Sequence, residues 1–192
     1  MRRLLLTSTA VATISTALPV FAHTDSISSS SSFLAGLLHP LTGFDHLLAM
    51  IAFGIWLTFQ GRSQQRTLPL TLIATLLIGF MLGINGISLP VVEGGIVSSV
   101  LIIGLLIATK SRLKLAIALP ITAMFALFHG FAHGAEAGSA MTVLFATGFL
   151  VACTALLLTS FIAGKMIYTQ LPAATKLIGL MIAMTGLSLV VA

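Results

Sequence analysis

Apolar runs long enough to cross a bilayer follow one another along almost the whole chain, and such runs admit very few folds. A helix crossing the hydrocarbon core needs about 20 predominantly apolar residues. Runs of this kind are predicted at 33–59, 68–87, 90–109, 113–133, 140–164 and 173–192. Within lipid each backbone polar group must find its partner inside the protein, and an unbroken apolar run of this length does so as a helix. Only 7% of the residues are charged, against about a quarter in an ordinary soluble domain. The predicted fold is therefore all-α, a polytopic membrane bundle of six transmembrane helices after an N-terminal signal peptide. Short connections argue for one transmembrane domain over 33–192, with lipid as its surroundings.

The first 22 residues read as the signal: Arg2 and Arg3, an apolar stretch over 4–20, then Val20, Phe21 and Ala22 as a cleavage site. An uncleaved signal anchor is the competing reading. Residues 23–32 form a Ser-rich linker with no apolar period. Cleavage would leave His23 at the mature N-terminus, where its amine and imidazole could chelate together. A terminal residue without a role is the plainer reading.

The formal net charge of +5 does not point to nucleic acid, because the basic residues lie between the spans and so report orientation. Arg62 and Arg66, then Lys110, Arg112 and Lys114, then Lys165 and Lys176 flank connections on one side. The opposite connections hold Glu93 and Glu136 and no basic residue. By the positive-inside rule the basic side is cytoplasmic, with both mature termini outside a bacterial cytoplasmic (inner) membrane. Trp56, near the cytoplasmic end of its span, is expected as an interfacial anchor. Cys153, the single cysteine, is expected to pack within a helix, as are Gly79 and Gly83. Asn85 suits a turn or cap.

Two segments inside these spans carry the chemistry. One runs His39-Pro40-Leu41-Thr42-Gly43-Phe44-Asp45-His46; the other runs Phe128-His129-Gly130-Phe131-Ala132-His133-Gly134-Ala135-Glu136. Ionisable groups at membrane depth are expensive and by default mark function. His129 and His133 are four apart and share a helix face, with Glu136 three further along. His39 and His46, seven apart, return to one face of an ideal helix, and Pro40 marks a start or kink at His39. Imidazoles with carboxylates make a borderline-soft site suited to transition metals. Asp45 could ligate directly or accept the free ring N–H of a ligating histidine. The bland alternative, polar glue between helices, explains a lone histidine better than two histidine-rich segments at matching depth. From the predicted orientation Asp45, His46 and His129 form a deeper layer beneath a lip of His39, His133, Glu93 and Glu136.

At these two segments the chain resembles the HupE/UreJ family of hydrogenase and urease accessory membrane proteins, a group of nickel/cobalt permeases. The family pattern H-x5-D-H fits His39 to His46, and F-H-G-x-A-H-G-x-E fits Phe128 to Glu136. The resemblance implies uptake of Ni²⁺ or Co²⁺ as transported substrate, with no organic cofactor. It carries metal roles onto His39, Asp45, His46, His129, His133 and Glu136, and it implies metal-accepting accessory proteins for hydrogenase, urease or cobalamin synthesis as partners. The expected function is a secondary permease, not an enzyme; no Walker-type phosphate loop is present. Two rivals stand beside it: an intramembrane zinc-dependent hydrolase, which lacks an H-E-x-x-H arrangement here, and a metal-binding accessory subunit that does not transport.

Overall fold

The structure, a computed structural model, describes residues 32–137 and 143–191. The signal segment, His23 and all of the linker but Ser32 lie outside the described residues. Among the described residues the regular structure is entirely helical. The elements are α1 (Phe33–Leu38), a 3₁₀ turn (His39–Leu41), α2 (Phe44–Leu57), α3 (Gln64–Ile84), α4 (Val92–Ala108), α5 (Leu115–Ala137), α6 (Val143–Gln170) and α7 (Pro172–Val191).

Four of these, α3, α5, α6 and α7, are long and apolar enough to cross a membrane. The α1–α2 pair makes a fifth if counted as one span, but it bends by 81°. Helix α4 is apolar yet only 17 residues long, short of the about 20 that a bilayer asks for. The described residues thus form a multi-pass bundle with four or five membrane-length helices. Large apolar side chains face outward, Leu70, Met166 and Met184 among them, as lipid contact requires.

The break in the first span differs from the expectation in position. Pro40 leaves His39 helical, at φ −54° and ψ −49°. The chain instead turns at Gly43, which is extended at φ −93° and ψ 115°. The Thr42 hydroxyl closes the preceding turn by donating to the His39 carbonyl at 2.7 Å. His39 and His46 therefore sit on two segments at a steep angle and do not share a helix face.

Close packing, more than apolar burial, holds helices together in lipid, because the tails are as apolar as leucine. Glycine pairs supply it here. On α3, Gly79 and Gly83 lie against the α5 backbone at Leu127 and Phe131; on α5, Gly130 and Gly134 lie against α3 at Leu76 and Phe80. Gly36 of α1 meets the Phe145 carbonyl while Gly148 of α6 meets that of Phe33. Helix α4 packs on α7, and α6 receives both α1 and α2.

Two further expectations change. Trp56 is not an interfacial anchor: it is buried, 1% exposed, and its indole N–H donates to the Ser111 carbonyl at 3.2 Å. Gln60 donates to the same carbonyl, its oxygen accepts from the Leu113 N–H, and Gln64 donates to the Leu113 carbonyl at 2.8 Å. These bonds tie the end of α2 and the start of α3 to the α4–α5 connection. Lys165 lies within α6, which runs on to Gln170, so no loop separates it from α7 beyond Leu171. Cys153 packs in the core, and Asn85 ends α3 by donating to the Met81 carbonyl at 2.6 Å.

Candidate metal centre

Helix α5 is two-faced at its C-terminal end. Its glycines, at the positions following each histidine, press against α3, which turns His129 and His133 away from that contact toward the rest of the bundle. The helix continues through Glu136, so the third side chain stays in register: Glu136 Oε2 lies 3.6 Å from His133 Nδ1. The sharp bend in the first span then brings two more imidazoles to this face from two directions. His39, before the bend, has its ring 4.8 Å from that of His133. His46, after it, lies 4.3 Å from His133 and 5.3 Å from His129, centre to centre. His46, His129 and His133 are each under a tenth exposed.

Hydrogen bonds orient two of these rings. His129 Nδ1 lies 2.7 Å from the Phe125 carbonyl, which can only accept, so this nitrogen carries the proton and Nε2 is left with its lone pair. His46 Nδ1 lies 2.9 Å from Asp45 Oδ1, so it donates and again frees Nε2. The Asp45 carboxylate thus folds back onto its own neighbour instead of standing a hundred degrees away on the helix. Nε2 of His46 and of His129 are buried without a partner, while Nε2 of His39 and Nδ1 of His133 are buried with the Glu136 carboxylate as the only polar group paired with them. Leaving one buried polar atom unpaired costs about 1–3 kcal/mol, so two beside a histidine–carboxylate group mark a site built for something else to bind.

His39, His133 and Glu136 each offer one ligand atom within 4.8 Å of the others, and Glu136 Oε2 is 3.4 Å from His39 Nε2. Ligands about 2.0–2.2 Å from a transition metal stand roughly 3–4 Å apart, so a small contraction would close this trio on an ion. Glu136 is the exposed member, at 58% of its side chain. The layers therefore differ from those expected: His133 touches both His39 and His46 and joins the two levels. Glu93 stands apart from the histidines and lines a groove of about 430 Å³ shared with Glu136, Leu89, Val91, Phe131 and Ala135. Val91 enters α4 with a left-handed backbone at φ 58°, an uncommon conformation for a β-branched residue, and this turn carries Glu93 onto the groove.

Two aromatic residues of the site went unnoticed in the sequence. Phe149 packs its ring 4.9 Å from that of His133, and Phe145 lies 5.3 Å from His39. Both come from α6 and wall the histidines off on that side. Phenylalanines one turn apart in an apolar helix carry no signal that distinguishes them from lipid-facing ones.

A family whose description is HupE / UreJ protein matches residues 11–189, which include both histidine segments. The chain belongs to the HupE/UreJ family. It is 37% identical to Protein HupE of Rhizobium leguminosarum bv. viciae over 137 residues, 71% of this chain and 72% of that protein. No solved structure matches it. In this HupE/UreJ protein the two motifs, far apart in sequence, form one cluster because a bent helix and a glycine-packed helix meet at the same end of the bundle.

Proposed function

We propose that this HupE/UreJ protein is a secondary permease that takes up a divalent transition metal, nickel or cobalt, across the bacterial cytoplasmic membrane. The observation that carries the reading is a group of four buried histidine nitrogens, two with no partner and two facing only the Glu136 carboxylate, gathered inside a bundle of membrane-length helices. An enzyme role is not part of it. The metal is the cargo, and metal-accepting proteins for hydrogenase, urease or cobalamin synthesis receive it on the cytoplasmic side.

In this scheme α4 counts as a span despite its length, which makes six, and the basic connections face the cytoplasm with the mature termini outside. Glu136 and His39 meet the hydrated ion at the rim. The carboxylate charge offsets part of the cost of stripping water from a dication, and neutral imidazoles favour it over Mg²⁺ and Ca²⁺, which prefer oxygen. The ion passes by His133 to His46 and His129. A membrane potential negative inside drives a dication inward at about 2.3 kcal/mol per charge per 100 mV.

The test is flux of radioactive nickel or cobalt into proteoliposomes that contain this chain alone. Saturable accumulation is the expected result; ion binding with no flux would make the protein a non-transporting accessory subunit and sink the permease reading.

A second prediction concerns Asp45. As the acceptor that holds the His46 ring, it should be replaceable in part by asparagine, whose side-chain oxygen still accepts. Asp45→Ala should lower uptake by roughly 10–100-fold, the usual worth of such a partner, and Asp45→Asn by clearly less. Equal losses in the two variants would instead make the carboxylate a direct ligand.

A further inference from the structure

The glycine contacts divide the bundle into units. Every described glycine that presses on the backbone of another helix does so within one of three groups: α3 with α5, α4 with α7, and α6 with α1 and α2. In the last group Gly54 of α2 meets Ser160 and the Leu157 carbonyl, and Gly164 of α6 meets the backbone at Ile55. Helices locked backbone to backbone shift together as rigid bodies. The two histidine segments stand on different units: His39, Asp45 and His46 on α1–α2–α6, and His129, His133 and Glu136 on α3–α5. Between α2 and α5 the backbones scarcely approach each other, and α4 lies along both.

Different chemistry fastens this seam at its two ends. At one end the imidazoles meet across it, His46 against His129 and His133. At the other, roughly 15 Å further along α2, side chains of α2 reach the connection that leads into α5. The Trp56 indole and the Gln60 amide both donate to the Ser111 carbonyl, at 3.2 and 3.1 Å, and the Leu113 N–H donates to the Gln60 oxygen at 3.3 Å. Gln64 of α3 holds the Leu113 carbonyl, so this connection belongs to the α3–α5 unit. Access differs as well: the Glu136 side chain is 58% exposed, whereas Gln60 is 4% and Trp56 1% exposed. Hydrogen bonds of this kind hold a seam shut yet break at modest net cost once water replaces them, whereas glycine-locked backbones do not part so easily.

We propose that Trp56 and Gln60 are the latch of an inner gate, which keeps the seam between α2 and α5 closed at the basic end until the two histidine-bearing units rock apart there. The inference rests on the permease reading, which places that end in the cytoplasm, and it assigns a role to residues outside both histidine segments. With the latch made, the cluster is reached only from the side of Glu136. With it broken, α2 and α5 separate at the opposite end and the ion leaves inward, one unit moving against another about the bound ion. An ion that draws His46 toward His129 and His133 tightens one end of the seam. Because α4 lies along both helices, it serves as the pivot through which that tightening loosens the other end.

The experiment reads the seam with a cysteine. Thr122 of α5 is 1% exposed and faces Met50 and Phe53 of α2 across a small void, so Thr122→Cys in a Cys153→Ala background reports whether the seam is open. A membrane-impermeant methanethiosulfonate reagent is applied to inverted vesicles and, separately, to right-side-out ones. Gln60→Met keeps the volume, removes two bonds across the seam and leaves the Leu113 N–H in need of water. It should speed labelling from the inverted side on the order of ten-fold, with no change from the other side. Trp56→Phe removes one bond and should give a smaller rise in the same direction; it carries the test if Gln60→Met does not fold. The control is Thr75→Val, whose lost hydroxyl bonds only within α3, and it should change nothing. In proteoliposomes the external nickel concentration for half-maximal uptake should rise with the labelling rate, because the outward-facing form is depleted. Nickel binding to the purified chain, reached from both sides, should stay within about two-fold. Unchanged labelling in both latch variants would overturn the proposal. Equal acceleration from both faces together with lower melting would make Trp56 and Gln60 structural groups and overturn it too. If the latch variants open the seam while the unmodified chain carries no nickel, the latch stands and the permease reading alone fails.

Discussion

Replacing His133 by alanine should lower nickel uptake by more than about a hundredfold, the largest loss expected from any single histidine. Its ring is the one that contacts both His39 and His46, and its Nδ1 faces Glu136. In the proposed pathway the substitution therefore takes a ligand from the trio with His39 and Glu136 and removes the link to His46 and His129. Even a residue that only orients a ligating histidine is worth 10–100-fold, so loss of a shared ligand should exceed that range. His46→Ala and His129→Ala should also be severe, but each leaves the trio of His39, His133 and Glu136 intact, so residual ion binding should persist in both. Equilibrium binding of nickel to the purified variants separates the cases: His133→Ala should lose binding, whereas the other two should retain a weaker site. Size-exclusion profiles matching wild type establish that the chain has folded. Uptake by His133→Ala within two-fold of wild type would reduce the cluster to polar packing.

Gly130→Val should be the most damaging substitution away from the polar residues. A Cβ at this position would overlap the Leu76 carbonyl of α3, and at Gly134 it would overlap that of Phe80. These are backbone atoms, which no rotamer change can move aside, so the two helices must separate. Overpacking costs typically 1–3 kcal/mol, and a collision with backbone belongs at or above the upper end. A loss of about 3 kcal/mol lowers the melting temperature of a chain this size by roughly 6–12 °C. Uptake should fall as well, since the same displacement moves His129 and His133 relative to His46. Gly94→Ala is the control, because nothing lies within 4 Å of a Cβ built there. It should leave melting unchanged or slightly higher. If Gly130→Val melts with wild type, the close α3–α5 contact is not what positions the histidine face.

Much of this arrangement was readable before any coordinates. Residues four apart must share a helix face, so the His129 and His133 pair, with Glu136 beyond it, needed only the continuation of α5 to be placed. The glycines one position after each histidine could be recognised as a packing face, because small residues at a four-residue spacing are how membrane helices approach each other. Pro40 announced a break, and Gly43 lies three residues beyond it. Which of the two would bend the chain was not readable: proline restricts the residue before it only as a preference, and His39 kept its helical angles under tertiary contact with α6. Ideal-helix geometry consequently put His39 and His46 on one face, where the fold has them meeting His133 from different sides.

Trp56 teaches the same lesson from another direction. Tryptophan near the end of an apolar run is as compatible with a lipid interface as with a buried hydrogen bond, and only the position of the Ser111 carbonyl decides between them. Phe145 and Phe149 became part of the site because α6 lies across the bent span, not because of anything in their local sequence.

By itself, then, the sequence determined the class of fold, the residues able to carry chemistry and the face of α5 on which they stand. Those follow from composition and from a repeat of 3.6 residues per turn, which are local properties. The tertiary structure alone decided which imidazoles meet, which nitrogens stay unpaired and where Glu93 lies. The physical reason is that a bend of 81° and the closeness of two glycine-faced helices depend on contacts between segments remote in the chain, and such contacts leave no period to read.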